Sequence, residues 1–302
     1  MVNIIKCNIC PRNCGANRSK SAGFCGASNK VKIAKVMLHY YEEPIISGDE
    51  TTKKCGSGAI FFSHCSLKCI YCQNQEISQG GLGKEVSIRT LASIFKQLEE
   101  AGATNINLVS PTHYVPQIIQ ALDLYRPNIP IVYNTSGYEN VSTLSLLEGY
   151  VDVYLTDFKY ISDKLAKEYS AAPNYPEVAK KALAEMKRQQ PKDIINGGLM
   201  EKGVIIRHLL LPNASVDATK IFDYIGKTYG KKTYISLMSQ YTPCGKATTH
   251  PILKRRIKPI EYKMCENYLK KNEFVNVFLQ DLSSATLAYT PDFKTQDLKF
   301  KY

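Results

Sequence analysis

The sequence predicts an α/β fold: a partial (β/α)6 TIM-like barrel over residues 55–302, behind a small N-terminal cysteine-rich segment over residues 1–54. Three observations predict it. From residue 55 onward, short apolar runs alternate with longer amphipathic stretches of helical period, the pattern of parallel strands joined by helical crossovers. Polar residues follow nearly every run, where a parallel β/α barrel gathers its chemistry. The first 54 residues hold instead Cys7, Cys10, Cys14 and Cys25, with Gly15, Gly23 and Gly26 permitting tight turns around them.

In chain order, residues 59–63 are an apolar run that passes into a loop and reads as a buried strand. An amphipathic helix over 88–101 follows, stopped by Gly102. The next pairs are strand 105–109 with helix 115–125, strand 129–133 with helix 141–147, and strand 151–156 with helix 175–190. Strand 204–211 leads to helix 216–229, and strand 233–238 to helix 259–272, which Pro259 opens. A last strand is expected over 275–279. Six or so units fall short of a closed barrel, so one side is expected to stay open. No internal repeat or low-complexity stretch interrupts the series.

The first strand runs into Cys65-Ser-Leu-Lys-Cys69-Ile-Tyr-Cys72. Three thiolates at these spacings suit three corners of a cubane iron–sulfur cluster. The fourth iron is left for an outside ligand, whereas clusters that only carry electrons usually have four cysteines. The competing reading is an apolar helical stripe with cysteine as a small hydrophobe. A random chain rarely places cysteine at all three stripe positions.

Cys-x3-Cys-x2-Cys with Tyr71 before the last cysteine resembles the radical S-adenosylmethionine superfamily. Within it the chain is similar to the pyruvate formate-lyase-activating enzyme group, and most closely to PflX-type homologues. Further stretches carry the likeness: Cys7-Asn-Ile-Cys10-Pro-Arg-Asn-Cys14, Gly56 to Cys65, Tyr71-Cys-Gln-Asn74, Ser110-Pro-Thr-His-Tyr114, Tyr133 to Tyr138, Asp157-Phe-Lys159, Arg207 to Pro212 and Ser236 to Tyr241. They spread over most of the chain, so the resemblance covers a whole enzyme. It implies a [4Fe–4S] cluster and S-adenosyl-L-methionine, whose reductive cleavage gives a 5′-deoxyadenosyl radical that abstracts hydrogen. The cofactor carries that chemistry and the protein orients it, consistent with the lack of a hydrolytic triad or paired carboxylates.

The resemblance also implies residue roles. Tyr71 lies against the adenine, and Asn134 and Ser136 contact the ribose or the methionyl end. Asp157 and Lys159 match an Asp-x-Lys element whose aspartate helps hold a monovalent cation and whose lysine contacts the cofactor; Asn134 stands where that cation would find a second carboxylate. Arg207 either pairs with the cofactor carboxylate, as a planar guanidinium does well, or caps acidic neighbours. Gln240 stands where activases often have a cofactor-contacting histidine. Activases usually grip the methionyl amine with a Gly-Gly-Glu-like element; here Ser110 and Thr112 stand in its place. The implied partners are a glycyl radical enzyme or other protein substrate, and an electron donor such as flavodoxin or ferredoxin.

Cys7, Cys10, Cys14 and Cys25 form a second constellation, all soft ligands, suited to either an iron–sulfur cluster or structural zinc. Only the first pair has zinc-knuckle spacing, which tips the balance toward iron and sulfur. Cys55, Cys244 and Cys265 are isolated and read as free thiols. His64 and His113 read as hydrogen-bonding scaffold beside the loops. No apolar run approaches the ~18 residues of a membrane span, and the N-terminus lacks signal-peptide features. A reducing cytoplasm is therefore expected, with the ten cysteines as ligands or thiols. A net charge of +12 favours acidic partners, but scattered lysines argue for a solvated surface over a nucleic-acid site. Two alternatives remain: radical modification of a peptide, metabolite or RNA, and a non-catalytic zinc-stabilised module binding nucleic acid.

Overall fold

In the computed structural model, residues 6–49, 56–285 and 291–295 are described. The chain begins with turns around the first four cysteines, then forms strand β1 (Val31–His39) and a single helical turn, α1 (Pro44–Ser47). Strand β2 (Ser57–Phe62) is wholly buried and leads through the cysteine loop to α2 (Gln75–Ser78) and β3 (Lys84–Val86). Helix α3 (Ile88–Glu100) starts where the Ser87 hydroxyl accepts the Thr90 N–H, a side-chain cap that satisfies an orphan donor. It buries Leu91, Ile94, Phe95 and Leu98, the spacing of one helical face.

Strand–helix units then follow: β4 (Ile106–Val109) with α4 (Val115–Leu124), β5 (Ile131–Thr135) with α5 (Val141–Leu144), and β6 (Val153–Asp157) with α6 (Asp163–Ser170) and α7 (Tyr175–Gln189). A short β7 (Ile194–Asn196) folds back on β8 (Leu199–Leu209). Helix α8 (Ser215–Tyr229), β9 (Tyr234–Met238), α9 (Pro259–Lys271) and β10 (Val277–Leu279) complete the order. Pro259 opens α9, where its missing N–H costs nothing.

Strands β2, β4, β5, β6, β8, β9 and β10 pair in parallel and in chain order. Each of the seven expected strands is a member of this run, and each expected helix has its counterpart. Among the described residues no pairing joins β10 to β3 at the other end, so the barrel is open. Sequence reasoning did not foresee β1, which runs antiparallel to β2 from Ile33↔Phe62 to His39↔Ser57, or β3 beyond it. The sheet therefore starts inside the segment ahead of residue 55.

Alternation along the strands sorts the core. Val132, Val153, Leu155 and Ile205 form one buried cluster with Ile46 of α1. Their neighbours Tyr133, Tyr154, Val204 and Ile206 belong to the larger cluster beneath the helices, as the two-residue period of a strand requires. The Ile46 carbonyl accepts from Thr104 Oγ1 and Asn105 Nδ2, at 3.0 and 2.8 Å, just before β4. So α1 plugs the N-terminal end of the interior. At the other end the same inward stripe turns polar: Val132 to Asn134, Leu155 to Asp157, Ile205 to Arg207. Among the described residues no helix is long and apolar enough to cross a membrane.

Candidate active site

The loop after β2 is built to hold thiols. His64 takes a φ of 75°, a left-handed conformation rare outside glycine. Lys68 N–H donates to Ser170 O at 3.1 Å and Ile70 N–H to Tyr169 O at 2.9 Å, stitching the loop to the end of α6. Cys65, Cys69 and Cys72 line one cavity at the C-terminal ends of the parallel strands. Each sulfur has a polar neighbour. Leu67 N–H donates to Cys65 Sγ at 3.4 Å, Ser170 Oγ lies 3.0 Å from Cys69 Sγ, and Ser78 Oγ lies 3.2 Å from Cys72 Sγ. Burial, with Cys69 alongside, pushes the Cys65 thiol up to about 12 and the Cys72 thiol up to about 11. Such thiolates need a positive partner to exist there. Among the described residues no three His, Cys, Asp or Glu side chains converge as a single ion requires. A cubane asks instead that each thiolate reach a different iron, and three soft donors around one cavity fit that group.

The facing wall is ionic. Arg207 donates from Nε to Asp157 Oδ1 at 3.0 Å, from Nη1 to Glu42 Oε2 at 3.1 Å, and from Nη2 to Asn134 Oδ1 at 2.6 Å. Lys159 Nζ donates to Asp157 Oδ2 at 2.6 Å. Burial alone would push the Asp157 carboxyl up, but the Lys159 ammonium and the Arg207 guanidinium outweigh it and hold the carboxyl below its ordinary value. Burial likewise works against the charge on Lys159, yet Asp157, with Cys69 adding to it, holds its pKa above normal. The wall thus sets the Lys159 and Arg207 cations against the Asp157 carboxylate. Both Asp157 oxygens are engaged by side-chain cations, which bring the positive charge a bound monovalent cation would have brought.

Ser110, Asn134, Ser136, Asp157, Lys159, Arg207 and Gln240 all line the same cavity as the three cysteines. Ser110 has a φ of 56° directly before a proline, a strained pairing of the kind concentrated at functional sites. Tyr71 and Thr112 are placed differently. The Tyr71 ring is buried against Tyr241, and its hydroxyl lies 2.5 Å from that of Tyr160. Thr112 Oγ1 donates to Glu139 Oε1 at 2.5 Å, inside the core. His113 keeps to scaffolding, its Nε2 lying 2.8 Å from Ser63 O. Cys55 lies outside the described residues.

Sequence reasoning missed two carboxyls. Glu42 reaches the cavity from the loop after β1, accepting from Asn134 Nδ2 and Asn107 Nδ2, both at 3.3 Å, as well as from Arg207. Nothing local marks it, because its partners are far away in the chain. Glu139 lies buried behind β5, bonded to Thr112, Thr135 and Tyr133. Its place just after the Tyr133–Tyr138 stretch was the available signal.

Residues 59–209 match the family described as the Radical SAM superfamily. The chain is similar to uncharacterized protein MJ0674 of Methanocaldococcus jannaschii, 32% identical over 288 residues, covering 92% of this chain and 77% of that protein. Among solved structures it is similar to Streptococcus suis SuiB bound to precursor peptide SuiA, at 15% identity and a TM-score of 0.49, covering 73% of this chain and 48% of that one. A second is the FeFe-hydrogenase maturase HydG from Carboxydothermus hydrogenoformans, at 14% identity and a TM-score of 0.41, covering 78% of this chain and 61% of that one. The chain thus spans about half to three-fifths of the length of these solved chains.

Proposed function

The chain belongs to the radical S-adenosylmethionine superfamily, and on that premise we propose that it cleaves S-adenosylmethionine reductively to take hydrogen from a partner protein, in the manner of a glycyl-radical-enzyme activase. The first half rests on one observation: three cysteines and the Arg207–Asp157–Lys159 network share a cavity at the strand ends. When bound, a [4Fe–4S] cluster with one open iron supplies the electron and the point of chelation for the cofactor's amino and carboxylate groups.

The residues supply the surroundings. Cys65, Cys69 and Cys72 hold the cluster. Lys159 and Arg207 present fixed positive charge to a carboxylate, while Glu42 and Asp157 present negative charge to an ammonium or a sulfonium. Ser110 offers a hydroxyl to the amine, and Asn134 and Ser136 offer polar groups to the ribose. Three of Arg207's five N–H groups are engaged by protein acceptors, so its first task is to hold that wall in register. The partner half rests on the motif likeness to activases. A flavodoxin- or ferredoxin-type donor with an acidic surface suits the net charge of +12.

Anaerobic protein given a strong reductant and S-adenosylmethionine is expected to release 5′-deoxyadenosine and methionine. Cys69→Ala should lower that release to background, measured by liquid chromatography with mass detection; undiminished release would overturn the assignment. Co-expression with a candidate glycyl radical enzyme should give a glycyl doublet in its electron paramagnetic resonance spectrum. Cleavage without that doublet would redirect the search to a peptide, metabolite or RNA donor. Colourless protein holding only zinc would favour the nucleic-acid-binding module.

A further inference from the structure

We propose that Cys7, Cys10, Cys14 and Cys25 hold a second, fully protein-ligated iron–sulfur cluster, docked on the loop that carries Cys65, Cys69 and Cys72. The fold draws the four together. Cys7 N–H donates to Ala16 O and Gly15 N–H to Cys7 O, both at 3.0 Å, closing one loop; Gly26 N–H donates to Gly23 O at 2.9 Å, turning the other. Asn13, Gly15 and Gly26 take φ values of 41°, 65° and 97° to make these turns. A side-chain carbon at Gly23 would stand 3.4 Å from Cys14 Sγ and 3.6 Å from Cys25 Sγ, so both thiols face one point. Cys7, Cys10 and Cys25 are buried and Cys14 is exposed.

The two cysteine groups share a device. Ala27 N–H donates to Cys25 Sγ at 3.4 Å, as Leu67 N–H does to Cys65 Sγ at the same distance. One sulfur in each group therefore meets the amide two residues on, an arrangement that satisfies a thiolate and tunes a cluster's potential. Four thiolates without histidine or carboxylate, with a single Cys-x2-Cys pair, suit iron and sulfur better than a tetrahedral zinc knuckle. In neither group do three thiols converge on one ion position.

The segment is clamped to the barrel loop. Arg12 Nε donates to Ser66 O at 2.8 Å, one residue from Cys65. Lys68 Nζ donates to Cys25 O at 3.4 Å, one residue from Cys69. A side-chain carbon at Gly26 would fall 2.7 Å from His64 Nδ1, so only glycine lets the two loops approach this closely.

The test compares iron, acid-labile sulfide and zinc in three anaerobically purified proteins: wild type, Cys14→Ser, and the Cys65→Ala/Cys69→Ala/Cys72→Ala variant. Cys14 is exposed, so its replacement should leave the fold intact. It is expected to lower iron and sulfide together by about a third to a half, according to a two-iron or four-iron second cluster. The spectral response of the remaining cluster to S-adenosylmethionine should persist. The triple variant should keep iron and sulfide in equal amounts, with a reduced spectrum that S-adenosylmethionine leaves unchanged. Zinc without iron in the triple variant, or unchanged iron in Cys14→Ser, overturns the proposal. If the triple variant does not fold, wild-type iron decides: more than about four per chain supports a second cluster, and four or fewer dismisses it. Failure of the proposed function would appear separately, as a wild-type spectrum indifferent to S-adenosylmethionine.

Discussion

Burial pushes the Glu139 carboxyl up to about 7, even though Thr112, Thr135 and Tyr133 donate hydrogen bonds to it. The folded protein therefore keeps a proton that the unfolded chain gives up from its ordinary value of 4.5 upward. Stability contributed by this group is present at low pH and is lost as pH rises through that window. Thermal denaturation at a series of pH values should show the wild type losing on the order of 2–3 kcal/mol relative to Glu139→Gln between pH 5 and 8, since His113 and His208, which burial keeps neutral, act alike in both proteins. Equal slopes would show that another group sets the dependence. Glu139 and Glu42 escaped sequence reasoning because a lone glutamate has no spacing to read. The cysteines were legible because ligands to one group must recur at short intervals. Ser110, Asn134, Asp157 and Arg207 were legible because a polar residue ends an otherwise apolar inward stripe.

At the level of elements, the loops between strands are as constrained as the strands. Gly137, after β5, has a φ of 75°, and a side-chain carbon there would fall 2.3 Å from Asp157 O at the end of β6. Gly102, after α3, has a φ of 81° but nothing within 4 Å. Both positions favour glycine; only one also forbids volume. Gly102→Ala should cost about 1 kcal/mol, the left-handed penalty alone. Gly137→Ala should cost about 3 kcal/mol or more and weaken S-adenosylmethionine binding, since Asp157 must shift. Denaturant titration and equilibrium dialysis would check the contrast, and equal costs would remove the argument from close approach. Alternation of strand and helix made the parallel run readable. Strands β1 and β3 were not: β1 lies ahead of residue 55, where the strand–helix alternation begins, and β3 is only three residues long.

For the molecule as a whole, the N-terminal segment belongs to the structural unit of the barrel. Arg18 is fully buried, donating from Nη1 to His113 O at 2.5 Å and from Nη2 to Ser28 O at 2.6 Å. Its guanidinium also lies over the Tyr114 ring at 5.7 Å. Thr143 Oγ1 donates to Ile9 O at 2.6 Å, holding the same segment to α5. Removing a buried charge that satisfies two carbonyls leaves both unpaired. Arg18→Met should therefore cost about 2–4 kcal/mol and speed proteolysis within residues 6–30, followed by timed digestion and mass spectrometry. Unaltered digestion would show that the segment is held elsewhere. The sequence set residues 1–54 apart as a cysteine-rich segment and gave no sign of the clasp, since a single arginine among turns looks solvated.

Residues 291–295 lie beside β1 and β2 at the edge of the cavity. Phe293 packs edge-on against Phe61 of β2 at 5.6 Å, Lys35 Nζ of β1 donates to Asp292 O at 2.7 Å, and Pro291 borders the cavity itself. Trimming the protein from residue 291 would leave the described strands and the cysteine ligands in place but take Pro291 from the cavity's rim and Phe293 from its seat on β2, widening the way in for water and dioxygen.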